Sequence, residues 1–143
     1  MWNVNPLVSV PNAELIKRGM VRNDLLTIVH EQFMTDTAKY ADYVFPATTQ
    51  IESADITPSW GHLYLGWNEP AIDPLGESVS NPEFFRRLSA AMGLTEASLF
   101  DDDLTMLRDT LVNVDLDELR AQHRVRVPYP EDCLLYTSPS PRD

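Results

Sequence analysis

Residues 27–52, TIVHEQFMTDTAKYADYVFPATTQIE, decide how this chain is read. Together with Leu25 and Leu26 they open on a nearly continuous apolar run, residues 25–29, the pattern of a strand buried on both faces. A polar turn follows, then a short helix over residues 35–41 with Ala38 and Ala41 inward. A second strand covers residues 43–45 and stops at Pro46, which cannot continue a ladder. Two strands joined by a helix form a parallel unit, and such units take ligands at the carboxyl ends of their strands. The polar residues gather there: His30, Glu31 and Thr35 after the first strand, then Thr48, Thr49, Glu52 and Ser53 after the second.

These side chains have two readings. A carboxylate such as Glu31 suits the amino groups of a flat heterocyclic ring better than it suits phosphate. Equally, Glu31 or Thr35 caps the helix that follows, because caps and ligand sites share strand-end loops. Glu52 and Asp55 have the spacing of an acid/base pair, but two such carboxylates more often cap a turn or face water.

Upstream, residues 1–4 read as the end of a strand, halted by Asn5-Pro6, and residues 12–18 as a short helix closed by Gly19. Downstream, three prolines and three glycines break residues 54–80 into extended pieces and turns, with residues 62–67 as a short strand or hairpin arm. The clearest helix starts at Asn81 as N-cap, with Pro82 at N1 and Gly93 past its end. Its stripe of Phe84, Phe85, Leu88, Ala91 and Met92 is core packing. Helices are expected over residues 101–111 and 115–122, and a strand over 124–127.

The formal net charge of −11 argues against a nucleic-acid grip, which needs clustered Lys and Arg, and against an anionic membrane surface. No apolar run approaches the roughly 20 residues of a membrane span. His30-Glu31 lacks the second histidine of a zinc-protease motif, since Met34 stands there, and the five glycines form no phosphate loop. The three histidines have no metal-ligand spacing, so neither a metal site nor a catalytic residue is assigned. Trp60 and Trp67 are read as burying area rather than lining a funnel.

Residues 133–143, CLLYTSPSPRD, read as the translation of a sequencing-library adapter and are set aside from fold reasoning. Cys133, the one cysteine, lies there, so the remainder offers no disulfide, cysteine zinc site or thiol nucleophile. The expected organisation is an incomplete α/β domain over residues 1–93, then a helical segment and linker over 94–132 leading to a further domain. No targeting pattern is visible; the compartment stays open, with the cytoplasm favoured over the periplasm.

The wording of residues 29–52 resembles the molybdopterin oxidoreductases of the dimethyl sulfoxide reductase superfamily. Their pattern is an acidic residue, Thr-x-Thr-Ala, Ala-Asp-x-x-x-Pro-Ala and a following Glu. Here these are Glu31, Thr35 to Ala38, Ala41 to Ala47 and Glu52. The likeness extends from Asn5 to Leu88. It implies a partial Rossmann-like parallel sheet with flanking helices, and a large subunit holding molybdenum or tungsten between two molybdopterin guanine dinucleotides. Carried over singly, Asn5 matches the family's Asn-Pro loop, His30 and Glu31 the nucleotide-contacting pair, and Thr35 the same turn. Ser53 matches a position often held by Lys, and Asn81 a polar residue before a helix. Glu31 in place of the commoner Asp, and Ser53 without the charge of Lys, are departures. Glu52-x-x-Asp55 suits the sulfoxide reductase-like members better than formate dehydrogenases.

The resemblance further implies oxygen-atom or electron transfer at the metal, a small-molecule substrate and a redox partner. A protein ligand to the metal and any iron–sulfur cluster would lie upstream, so this chain would be a cofactor-holding fragment, inactive alone. The alternative is a small acidic α/β binding or regulatory module without catalytic activity.

Overall fold

A computed structural model describes residues 1–128; the expected adapter tail lies outside them, as do residues 129–132 of the expected linker. The chain divides into two compact units, one of Met1–Ala54 with Glu69–Asp101, the other of Asp55–Asn68 with the chain from Asp102 onward.

In the first unit, α1 (Pro6–Ser9) and α2 (Ala13–Met20) precede β1 (Ile28–Glu31). A 3-10 turn (Ala38–Tyr40) leads to β2 (Tyr43–Pro46). The two strands pair in parallel, with Ile28 opposite Tyr43 and Glu31 opposite Pro46. The α/β class and the parallel pair are as expected, but the first strand is shifted. Leu25 and Leu26 lie exposed, and pairing begins where the Thr27 carbonyl accepts from the N–H groups of Asp42 and Tyr43. Strand pairing rather than the apolar run thus sets the register, and it draws His30 and Glu31 into β1. Trp2 bridges His30 in parallel on the other side of β1, and Val79 bridges Ala47 beyond β2. The expected strand end near residue 2 is therefore one bridge.

Helix α3 (Asn81–Ala91) is capped by Ser80, whose hydroxyl accepts from the Glu83 N–H at 3.4 Å. Asn81, expected as the cap, stands one position inside, because its side chain is engaged elsewhere. Gly93 follows the helix with φ of +70°, a left-handed conformation that glycine adopts without a Cβ penalty.

The second unit is an antiparallel sheet of β3 (Asp55–Pro58), β4 (Tyr64–Asn68) and β5 (Arg124–Arg126), in that order. Only the β4 arm and the β5 segment were legible in the sequence. Leu65 and Trp67 of β4 are buried with Leu116 and Leu119 of α5 (Leu116–Gln122), and Leu104 and Leu107 of α4 (Asp103–Thr110) pack against them. Ile56 and Val125 complete this apolar face. The opposite face carries the alternate residues Thr57, Tyr64, Gly66, Arg124 and Arg126.

Candidate functional site

The carboxyl ends of β1 and β2 are held by side chains bonded to one another and to backbone. His30 is buried, stacked on Phe84 with ring centroids 4.4 Å apart. Its Nε2 lies 3.2 Å from the Pro46 carbonyl oxygen, which also accepts from the Val79 N–H. A carbonyl can only accept, so Nε2 carries a hydrogen. Nδ1 lies 3.0 Å from Asn81 Oδ1, and Asn81 Nδ2 donates to Asn3 Oδ1 at 3.2 Å. The structure therefore brings His30 and Asn81 together as one clamp between β1, the end of β2 and the start of α3.

A second knot lies at the turn after β1. The Thr37 hydroxyl, wholly buried, donates to Asn5 Oδ1 at 2.6 Å and accepts from the Leu7 N–H at 3.1 Å. Asn5 in turn starts α1, its carbonyl accepting from Val8 and Ser9. Thr35 Oγ1 accepts from the Ala38 N–H at 3.2 Å, the capping role left open by the sequence. Asp42 Oδ2 accepts from the Thr27 N–H at 2.7 Å and fastens the entrance to both strands.

A third knot lies after β2. Glu52 is buried, and its Oε2 accepts from the Thr49 N–H and hydroxyl at 2.7 and 2.6 Å. Its Oε1 accepts from the Leu75 N–H at 2.8 Å, tying two loops together. These bonds, the Thr49 hydroxyl first, hold the Glu52 carboxyl below the usual range. Ser53 Oγ donates to the Thr49 carbonyl at 3.2 Å. Glu52 serves as an architectural anion that caps the turn after β2, as such carboxylates more often do.

Glu31 differs from its neighbours. Half-buried at the end of β1, it spends Oε1 on the Gln32 N–H at 2.8 Å, while no bond to Oε2 occurs among the described residues. Gln32 Nε2 reaches the Thr48 carbonyl at 3.1 Å, joining the two strand-end loops. Phe33 and Met34 beside it lie 70% and 64% exposed. An open carboxylate oxygen next to bare apolar surface suits a flat ring carrying amino or N–H groups. Phosphate is served poorly: from Lys39 to Arg86 the chain has no intervening Lys or Arg, and Lys39 is paired with Asp36. Among the described residues, no cluster of three or more His, Cys, Asp or Glu side chains is arranged to hold a metal ion. No described helix is long and apolar enough to cross a membrane.

Of the six residues singled out in the sequence, then, His30 with Asn81, Asn5, Thr35 and Ser53 are committed to internal bonds, and Glu31 keeps a free acceptor. Sequence reasoning gave no role to Thr37 or Asp42. Their signal lay in the Thr-x-Thr-Ala and Ala-Asp wording, where these side chains tie the turn and the strands.

A family model described as molybdopterin oxidoreductase matches residues 1–91. The chain is 43% identical over 115 residues to "Probable oxidoreductase YoaE" of Bacillus subtilis (strain 168), covering 80% of this chain and 17% of that protein. Acetylene hydratase of Syntrophotalea acetylenica is 32% identical over 104 residues, 72% of this chain and 14% of that protein. Among solved structures, acetylene hydratase from Pelobacter acetylenicus superposes with a TM-score of 0.67 at 28% identity, covering 84% of this chain and 17% of that one. The chain thus spans about a sixth of the length of the relatives it matches.

Proposed function

Because this chain belongs to the molybdopterin oxidoreductase family, we propose that it forms one wall of a molybdopterin guanine dinucleotide site in a longer enzyme. That site would hold molybdenum or tungsten. The bound cofactor supplies oxygen-atom or electron transfer at its metal, and the protein supplies orientation and electrostatics. Glu31 accepts from N–H groups of the guanine or pterin ring, and Phe33 and Met34 offer it an apolar surface. His30, Asn81, Asn5, Thr35 and Ser53 act behind Glu31 by fixing the loops that present it. The observation carrying this reading is the free oxygen of Glu31 at the end of β1, beside exposed apolar side chains. The small-molecule substrate and redox partner belong to the rest of the enzyme.

The test is the metal and pterin content of the complete protein as its source makes it. Stoichiometric molybdenum or tungsten with guanine-bearing pterin is expected, and Glu31→Ala should lower nucleotide retention while leaving the fold intact. Metal-free, pterin-free protein sinks the reading and favours the binding-module alternative. The 143-residue chain alone should retain no pterin, because one wall encloses only part of the cofactor; stoichiometric retention would contradict that.

A further inference from the structure

The second unit carries a concavity that the cofactor reading does not use. Its floor is the open face of the three-stranded sheet, and the loop between β3 and β4 forms one wall of this half-open hollow of about 700 Å³. Ser59, Trp60, His62, Tyr64, Gly66 and Arg124 line it. In a chain with 22 acidic residues against 11 basic ones, none of the described residues lining it is acidic. Trp60 is fully exposed, an expensive placement for the largest apolar side chain.

The polar groups present donors. The His62 Nδ1 accepts from the Tyr64 N–H at 3.1 Å, so a neutral ring carries its hydrogen on Nε2. Ser59 Oγ accepts from the Gly61 N–H at 3.2 Å and keeps its own hydrogen to donate. The Arg124 guanidinium lies 6.0 Å from the Tyr64 ring centroid and makes no ion pair among the described residues. Opposite it in the sheet, Gly66 leaves the floor without a side chain. A guanidinium fork with hydroxyl and imidazole N–H donors matches a carboxylate, and Trp60 and Tyr64 match a flat apolar body. The volume falls within the range of small-ligand clefts.

We propose that this concavity binds a small planar carboxylate, its anionic end on Arg124 and His62 and its flat body on Trp60. The proposal rests on the second unit alone and stands or falls independently of the cofactor reading.

Benzoate is the probe, and tryptophan-selective labelling of the complete protein, read by peptide mass spectrometry, is the measurement. Exposed Trp60 should label and buried Trp67 should not. Benzoate should protect Trp60 saturably while half-exposed Trp2 stays reactive. Benzamide, the uncharged counterpart, should protect about tenfold more weakly, since the charge-assisted bonds are gone. Arg124→Gln should raise the half-protecting benzoate concentration by about tenfold, and Arg124→Lys by less, keeping charge without the fork. Trp60 already shielded before any probe is added would overturn the proposal, because another part of the protein would then cover the face. Equal protection by benzamide, or an unchanged Arg124→Gln variant, would overturn it too. So would protection by a glutamate-rich peptide with none by benzoate, which would make the face a protein-docking surface. The benzoate–benzamide comparison uses unsubstituted protein, so it decides even if a variant fails to fold.

Discussion

The two units bury opposite chemistry. In the second, the fully packed side chains are Leu65, Trp67, Leu116 and Leu119, all apolar. In the first, Met20, Val29 and Ala38 share the interior with Thr27, His30, Thr37, Glu52 and Ser89. An apolar core tolerates changes of identity as long as volume is kept, because its attraction is non-directional. A polar interior does not, because each buried donor or acceptor left unmatched costs its desolvation. The first unit's geometry is therefore specified through the directed bonds of His30, Thr37 and Glu52. The family model ends at residue 91 and so takes in all of that polar interior.

The contrast breaks most visibly at Leu119, which has no exposed surface. Leu119→Ala leaves a cavity among Leu65, Trp67 and Leu116 and should destabilise the second unit by about 2–5 kcal/mol. Native-state hydrogen exchange across β3, β4 and β5 would read the loss. Leu119→Met, close in volume, should cost under about 1.5 kcal/mol. A Met variant as damaging as the Ala variant would mean that shape, not volume, governs this core.

In the first unit the matching experiment keeps volume and removes a bond. Thr37→Val preserves the side chain's size but orphans Asn5 Oδ1 and the Leu7 N–H, and should cost about 1–3 kcal/mol. The loss should appear as faster exchange at Leu7 and in α1. A neutral Thr37→Val would erase the distinction drawn between the units.

That distinction also explains what could be read from the sequence. The parallel pair was legible because Pro46 punctuates it and the strands differ sharply from the helix between them. The start of β1 was not, because Leu25 and Leu26 are apolar yet exposed, and hydropathy cannot see the Thr27–Asp42 bonds that set the register. The three-stranded sheet was only partly legible, because β5 pairs with β4 across some 60 residues that no local pattern links. At the strand ends, residue types marked where polar side chains gather, although His30 and Glu31 lie within β1 rather than after it. Which of them point inward depended on partners such as Asn81, 51 residues from His30. Glu31 was separable from its neighbours only once those partners were known.

Helix caps give a smaller test of the same contrast. Asp102 Oδ1 accepts from the Leu104 and Thr105 N–H groups at 2.9 and 3.0 Å, whereas Ser80 offers the first unit's α3 one contact at 3.4 Å. Asp102→Ala should cost about 1 kcal/mol by urea denaturation, and Ser80→Ala distinctly less. Equal losses would show that cap geometry does not set the difference.

The last effect is constant at neutral pH, and its loss appears only in acid. The Glu52 carboxyl is held below its ordinary value of 4.5 by bonds from Thr49 and Leu75. A group whose folded value is depressed adds stability that is fully present above its unfolded value and disappears as pH falls through the folded one. The first unit should therefore lose stability below about pH 4.5 more steeply in the native protein than in Glu52→Gln, which has no proton to take up there. Glu83, lowered by Arg87 and Arg86, titrates in both proteins and drops out of the comparison. Identical acid limbs would mean that protonating Glu52 costs the folded unit nothing. The third knot would then be held by the Ala71 and Ile72 N–H groups on the Ile51 carbonyl rather than by the buried carboxylate.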